Sequence, residues 1–236
     1  MLAAESAAPA PRAAHHYAAP SEWRWIGARD KAANVVALAG AGAHRSVVEI
    51  GAGDGALLAR LSEQGFADEL GALEISESGL LQTRAREIPE LSACELFDGE
   101  HIPFEDDRFD LAVLSHVLEH AEQPRRLLTE AARVAGRVFI EVPLEDHWRL
   151  PDQFEPNALG HINYFSQKSL RRFVQTCDLA VLEERVVNPS RELYAARFGG
   201  GLGGTWRWAL KQGALRAAPA LAQRLWTFHG ALLCQK

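Results

Sequence analysis

The sequence has no apolar run of membrane-spanning length, so a transmembrane segment is not expected. It has three cysteines, Cys94, Cys177 and Cys234, far apart and without a C-x-x-C spacing. An odd, scattered set excludes a disulfide framework and a dithiol redox motif, and fits reduced thiols in a cytoplasmic protein. A basic excess is also missing. The formal net charge is −6, so no footprint for duplex nucleic acid is expected. No internal repeat is visible, which removes solenoids and propellers. Residues 1–20 are rich in Ala and Pro but lack a continuous apolar core flanked by basic residues. They read as a disordered tail and not as a signal peptide. Acids are absent after Glu192, so that last stretch carries +6 and residues 1–192 carry −12.

What the chain does have is enough length, 236 residues with 47% hydrophobic and 24% charged, for one soluble α/β domain with a sizeable core. Its organising stretch is Val47-Val48-Glu49-Ile50-Gly51-Ala52-Gly53-Asp54-Gly55. Val47, Val48 and Ile50 read as a buried strand, and Ala56 to Leu61 as a helix stopped by Gly65. Strand, glycine turn and helix bring a nucleotide close to backbone, and free N–H groups at the helix start favour negative or electron-rich ligand atoms. The segment from Gly51 to Ala56 also satisfies G-x-G-x-x-A, with Glu74 downstream at about the 20-residue ribose spacing of dinucleotide folds. Glu49 separates the readings. An acid just before the first glycine repels pyrophosphate and welcomes a cation. The stretch resembles the first motif, E/D-x-G-x-G-x-G, of the class I S-adenosylmethionine (SAM)-dependent methyltransferases, whose cofactor carries a sulfonium and an ammonium and no phosphate.

The rest of the chain alternates strands and helices. Ser21 reads as the cap of a helix whose apolar face, from Trp25 to Ala39, ends at Gly40. Strands are expected at 70–75, 91–97, 109–114, 137–142 and 179–187. Helices are expected from Ser76 to about Arg86, from Pro124, and from Ser166 to Cys177. This pattern implies a parallel sheet covered on both faces. Residues 199–204 read as a glycine hinge, 205–226 as helix in two pieces broken near Pro219, and 227–235 as strand. By the resemblance, the fold is a Rossmann-like, doubly wound, seven-stranded and mostly parallel sheet with an antiparallel last strand. Residues 21–44 would form an N-terminal helical lid and 45–236 the methyltransferase domain, with 190–226 a helical insertion or cap.

Glu74, ending the second strand, can accept bonds from both ribose hydroxyls, and Ile75 can pack on adenine. Asp98-Gly99-Glu100-His101-Ile102-Pro103-Phe104 and Phe109-Asp110-Leu111-Ala112-Val113 resemble the family's third- and fourth-strand motifs. The resemblance implies that Asp98 takes the adenine amino group and Gly99 a ring nitrogen. It also makes Glu49, Gly51, Ala52, Gly53, Gly55 and Ser115 cofactor contacts. Ser115-His116-Val117-Leu118-Glu119-His120 resembles the V-L-E-H segment of quinone-biosynthesis and related small-molecule methyltransferases. His116 and His120, at i and i+4, fit one helical face, and a neutral imidazole there can take a proton as the methyl arrives. His161, in Gly160-His161-Ile162-Asn163, is a third catalytic candidate. H-x-x-E-H is also a metallopeptidase spacing. His116 stands where the related E-x-x-E-H metal pattern has a glutamate, so no metal is expected. Tyr17, Trp23 and Arg29 are expected to face substrate from the lid. The acids of Glu141-Val142-Pro143-Leu144-Glu145-Asp146 read mainly as loop solvation.

These readings give a SAM-dependent methyltransferase that yields S-adenosylhomocysteine and methylates an oxygen or nitrogen of a small organic acceptor. An NAD-binding oxidoreductase and a non-catalytic SAM-binding module share parts of the same pattern. Weak contact of the basic, tryptophan-bearing insertion with a membrane surface fits its composition. Acceptor identity and oligomeric state are left open.

Overall fold

The structure is a computed structural model that describes residues 22–42, 44–154, 159–198 and 202–236. The expected tail at 1–20, with Tyr17, and the Ser21 cap lie outside the described residues. Helix α1 (Glu22–Ala39) buries Ala28, Ala32, Val35 and Leu38, positions three or four apart on one helical face. Seven strands follow, namely β1 (His44–Ile50), β2 (Ala67–Glu74), β3 (Leu91–Leu96), β4 (Phe109–Ser115), β5 (Ala135–Leu144), β6 (Ala180–Val187) and β7 (Phe228–Gln235). They form one sheet in the order β3-β2-β1-β4-β5-β7-β6. β7 runs antiparallel to both β5 and β6, and the other pairings are parallel. This is the expected doubly wound, mostly parallel fold with an antiparallel last strand.

Between these strands lie α2 (Ala56–Ser62), α3 (Glu77–Ala85), α4 (Pro124–Val134) and α5 (Gln167–Gln175). Each starts where the local chemistry predicts. The Ser76 hydroxyl accepts from the Gly79 amide at 3.4 Å, Pro124 occupies the first turn of α4, and Ser166 with Ser169 forms a reciprocal capping box. One apolar layer joins α1 and α2, through Val35, Leu38, Leu57, Leu58 and Leu61, to one sheet face. The other joins α4 and α5, through Leu127, Leu128, Leu170 and Val174, to the opposite face. The central strands are therefore apolar on both sides, as parallel strands require.

The segment between β6 and β7 differs from expectation in two ways. It contains three helices, α6 (Arg191–Phe198), α7 (Leu202–Ala217) and α8 (Pro219–Leu225). The hinge expected at 199–204 does not extend over Leu202, Gly203 and Gly204, which form the first turn of α7, while 199–201 lie outside the described residues. The break at Pro219 falls where the ring requires it, since proline opens a new helix at its first position.

Register places the chemistry. Glu49 of β1 lies beside Val113 of β4, Ser115 of β4 beside Glu141 of β5, and Pro143 of β5 beside His229 of β7. The strand order reverses between β1 and β4, which is where open α/β sheets bind ligands. Phe139, fully buried in β5, tests this core. Phe139→Ala is expected to cost about 3–5 kcal/mol, the range for a buried phenylalanine cavity, read as a lowered urea midpoint at unchanged slope.

Candidate active site

The turn after β1 is made of glycines for a visible reason. Gly51, Gly53 and Gly55 have φ of 77°, 59° and 72°, a region that costs an L-residue strain. A Cβ on Gly51 would also stand 2.7 Å from Val117 Cγ2, and one on Gly55 2.9 Å from Thr83. Five amides of this turn are already engaged. Gly51 N and Ala52 N donate to Leu73 O at 2.7 and 2.9 Å, and Gly55 N donates to Ala52 O at 3.0 Å. Gly53 N donates to Glu74 Oε2 at 2.8 Å, and Ala56 N to Asp54 Oδ1 at 3.3 Å. Five of the amides that the sequence reading offered to electron-rich ligand atoms are thus engaged within the chain.

Three carboxylates surround this turn. Glu74 accepts Gly53 N and also Ile75 N and Ser76 N, both at 3.0 Å, which locks its carboxylate between β2 and the turn. Asp54 is buried against Arg24 of α1 at 3.3 Å and Arg86 at 3.2 Å, while Arg86 Nε donates to the Asp54 carbonyl. Glu49 is buried, and its Oε2 has no hydrogen-bond partner among the described residues. Burial raises its pKa to about 8, with Asp54 and Glu74 adding to the rise and Lys31 opposing it. Beside β3, Gly99 comes close to Ile75, since a Cβ on Gly99 would meet Ile75 Cγ2 at 3.5 Å. Asp98 is exposed, and its Oδ1 accepts His101 N and Glu100 N at 2.6 and 2.8 Å, bonds that lower its pKa.

A second polar group closes the ends of β4 and β5. Glu141 is fully buried and its carboxylate is well served. Asn34 Nδ2 donates at 2.8 Å, Ser115 Oγ at 3.0 Å, and His229 Nδ1 lies at 3.4 Å. Burial pushes its pKa up, but the His229 hydrogen bond, with the neighbouring imidazoles and Lys31, outweighs it and holds it at about 2. The Ser115 side chain therefore faces Glu141, and the Ser115 carbonyl accepts Lys31 Nζ at 3.5 Å. His116 has φ of 60°, and its Nδ1 meets Glu119 Oε1 at 3.1 Å. Its Nε2 is buried without a partner among the described residues, and its ring crosses His229 at 4.5 Å between centroids. Burial first, then Lys31 and His229, lower its pKa well below the ordinary value.

The shared helical face expected for His116 and His120 does not form. Residues 116–120 are a turn, and the left-handed backbone at His116 breaks the helical repeat. His116 joins Glu141 and His229, whereas His120 joins Glu119 and His161. Of the lid residues, Trp23 is 55% exposed, and Arg29 pairs with Glu192 of α6 at 3.3 Å. The contacts from α1 to the turn and strand ends come instead from Arg24, Lys31 and Asn34. Sequence reasoning grouped Arg24 with the lid residues but missed Lys31, Asn34 and His229, and it read Glu141 as loop solvation. The acid inside the apolar run Val138-Phe139-Ile140-Glu141-Val142 was the available signal for a buried, paired carboxylate.

Residues 23–184 match a family model described as a methyltransferase domain. A segment of 47 residues is 46% identical to an uncharacterized protein of Methanocaldococcus jannaschii, covering 19% of this chain and 23% of that protein. The chain thus matches less than a quarter of that relative's length. Among solved structures, the [4+2]-cyclase SpnF aligns over 96% of this chain and 89% of its own, with a TM-score of 0.64 and 17% identity. A SAM-dependent methyltransferase from Mesorhizobium loti aligns over 90% and 100%, with a TM-score of 0.61 and 18% identity. A geranyl diphosphate methyltransferase in complex with SAM aligns over 88% and 84%, with a TM-score of 0.60 and 13% identity.

Glu49 has a signed pH signature. Its folded pKa lies above its unfolded value, so the folded state holds the extra proton between the two, and this contribution falls as pH rises toward about 8. Glu49→Gln is expected to flatten that decline in chemical denaturation measured from about pH 5 to 8. Glu74→Ala is expected to weaken SAM binding by about 1.5–3 kcal/mol, the range for a hydrogen bond to a charged group, read by calorimetry.

Proposed function

The chain belongs to the methyltransferase-domain family, and on that premise we propose that it moves a methyl group from SAM to an oxygen or nitrogen of a small organic acceptor. The observation that carries this reading is the unpartnered, buried carboxylate oxygen of Glu49 behind a turn in which the amides of Gly51, Ala52, Gly53, Gly55 and Ala56 are already bonded. A phosphate needs free donors there, and finds acids instead. A cationic amino group has in Glu49 the partner that the oxygen lacks. This weighs against a dinucleotide oxidoreductase.

The other contacts follow along the sheet edge. Gly51, Ala52, Gly53 and Gly55 let the ligand approach the backbone. Glu74, already rigid, accepts the ribose hydroxyls. Ile75 and Gly99 flank the adenine, and Asp98 accepts its amino group. Ser115 contributes its carbonyl, because its hydroxyl is committed to Glu141. When bound, SAM supplies a methyl group on a sulfonium carbon. The protein's part is to align an acceptor heteroatom with that carbon in a dry site and to take the acceptor's proton. His116 is the residue assigned that proton, since its Nε2 is buried and unpartnered while its Nδ1 is held by Glu119. The Glu141 network fixes the floor beneath it, which a module that only stores SAM has no use for.

The helices before β7 form the roof. Asp30 of α1 accepts Ser190 N at 2.7 Å, Trp208 Nε1 donates to Pro189 O at 3.0 Å, and Lys211 Nζ donates to Thr227 O at 2.6 Å. Burial lowers the Lys211 pKa to about 8. Trp206, 65% exposed, and Leu210 lie on α7 with Arg207, a composition suited to weak contact with a membrane surface. Among the described residues no helix is long and apolar enough to cross a membrane. A cytoplasmic location and a freely diffusing acceptor complete the reading.

Radiolabelled SAM with panels of phenols, carboxylic acids, amines and quinone precursors tests it. At least one acceptor is expected to take label, and His116→Ala is expected to retain SAM binding while cutting turnover by about 10²-fold or more. SAM binding without transfer to any panel member would favour the non-catalytic module.

A further inference from the structure

Beside the His116 group lies a second cluster, joined to it through the bond between Glu119 and His116. Glu119, His120 and His161 each bring one ligand atom within 4.8 Å of the others. We propose that these three residues bind one divalent first-row transition-metal ion.

The carboxylate comes first. Glu119 is fully buried; His116 Nδ1 occupies its Oε1 at 3.1 Å, and its Oε2 has no hydrogen-bond partner among the described residues. An orphaned carboxylate oxygen is costly in a protein interior unless a cation meets it. The two imidazoles are oriented from behind. His161 Nδ1 bonds Glu145 Oε2 at 2.6 Å, and His120 Nδ1 bonds the Gly160 carbonyl at 3.3 Å. Carboxylate–histidine and carbonyl–histidine bonds of this kind hold the tautomer that ligates through Nε2. The rings stand 4.8 Å apart between centroids at 74°, so they converge without stacking.

The platform is rigid. Ile162 N and Asn163 N donate to Glu119 O at 2.8 and 3.0 Å. Asn163 Nδ2 donates to Leu118 O and Ala121 O at 2.9 and 2.7 Å. These bonds sew the segment bearing His161 onto the turn bearing Glu119 and His120. His116 is not needed as a ligand, because it acts as an outer partner that turns the Glu119 carboxylate. This answers the sequence argument against a metal, which rested on His116 standing in place of a glutamate. Two imidazoles and one carboxylate suit Zn2+, Co2+, Mn2+ or Fe2+, and not Ca2+ or Mg2+, which favour oxygen ligands. His120 is half-buried, so an ion can reach the cluster from solvent.

The rival description is a metal-free ion pair, with His161 kept cationic by Glu145 and Glu119. The test uses the full chain, stripped with a chelator and free of SAM, so its outcome is independent of the methyl-transfer reading. Titration with Co2+ is followed by visible absorption, and with Zn2+ by calorimetry. One equivalent is expected, with Co2+ bands of a nitrogen- and oxygen-ligated ion. Glu119→Gln and His161→Ala are each expected to weaken binding by at least about 100-fold, and Glu145→Gln by about 10- to 100-fold, the range for outer-shell partners. His15→Ala/His16→Ala, in the N-terminal segment, is expected to leave the equivalent intact. Circular dichroism checks that each variant folds. Absence of saturable one-to-one binding by the parent chain overturns the proposal, as does loss of binding in the His15/His16 variant or its survival in folded Glu119→Gln and His161→Ala.

Discussion

Four carboxylates, Glu49, Glu74, Glu119 and Glu141, are sunk into one edge of the sheet, and the groups around them are arranged to make that burial tolerable. A buried charge is costly unless it is paired and hydrogen-bonded. The four are treated differently. Glu141 is surrounded by Asn34, Ser115 and His229 and stays ionised. Glu74 is held by three backbone amides. Glu49 and Glu119 each keep one oxygen without a partner among the described residues, and burial raises the pKa of both. Glu74 and Glu141 are therefore held by hydrogen bonds within the fold, whereas Glu49 and Glu119 each present an oxygen to which no group of the described residues donates.

Helix α1 packs against this edge. Its apolar face packs into the layer built on α2, and its polar residues reach over the top. Arg24 goes to Asp54, Asn34 to Glu141, Lys31 to the Ser115 carbonyl, and Asp30 to the start of α6. Trp25 is clasped by Arg60, whose guanidinium lies 3.6 Å from the ring centroid. A single helix thus ties the glycine turn, the ends of β4 and β5, and the start of α6 together. Any motion that admits ligand has to break some of these polar contacts, while the apolar face can stay packed.

The fold alone does not choose the chemistry. Solved structures that share it include a protein named as a [4+2]-cyclase as well as methyltransferases. The chemistry has to be argued from the side chains at the strand ends and not from the fold.

Local sequence determined the secondary structure and the glycine turn, because those depend on contacts between near neighbours. Val47 to Gly55 could be read as strand and turn from periodicity and from the φ values that only glycine adopts cheaply. Ser76, Pro124 and Ser166 announced their helices through caps. Glu49 and Glu74 were legible because their distance from the glycines along the chain is short and stereotyped. The tertiary structure decided the rest. Only β-sheet register brings Glu141 beside Ser115 and carries His229, from the last strand, to the Glu141 carboxylate. Only a left-handed residue at His116 separates it from His120, and the i, i+4 spacing gave no hint of that. Lys31 and Asn34 look like ordinary polar positions on an amphipathic helix until the sheet edge is placed beneath them. Electrostatic partners in a folded chain are set by which strands lie side by side, and strand order is a global property that no local pattern encodes.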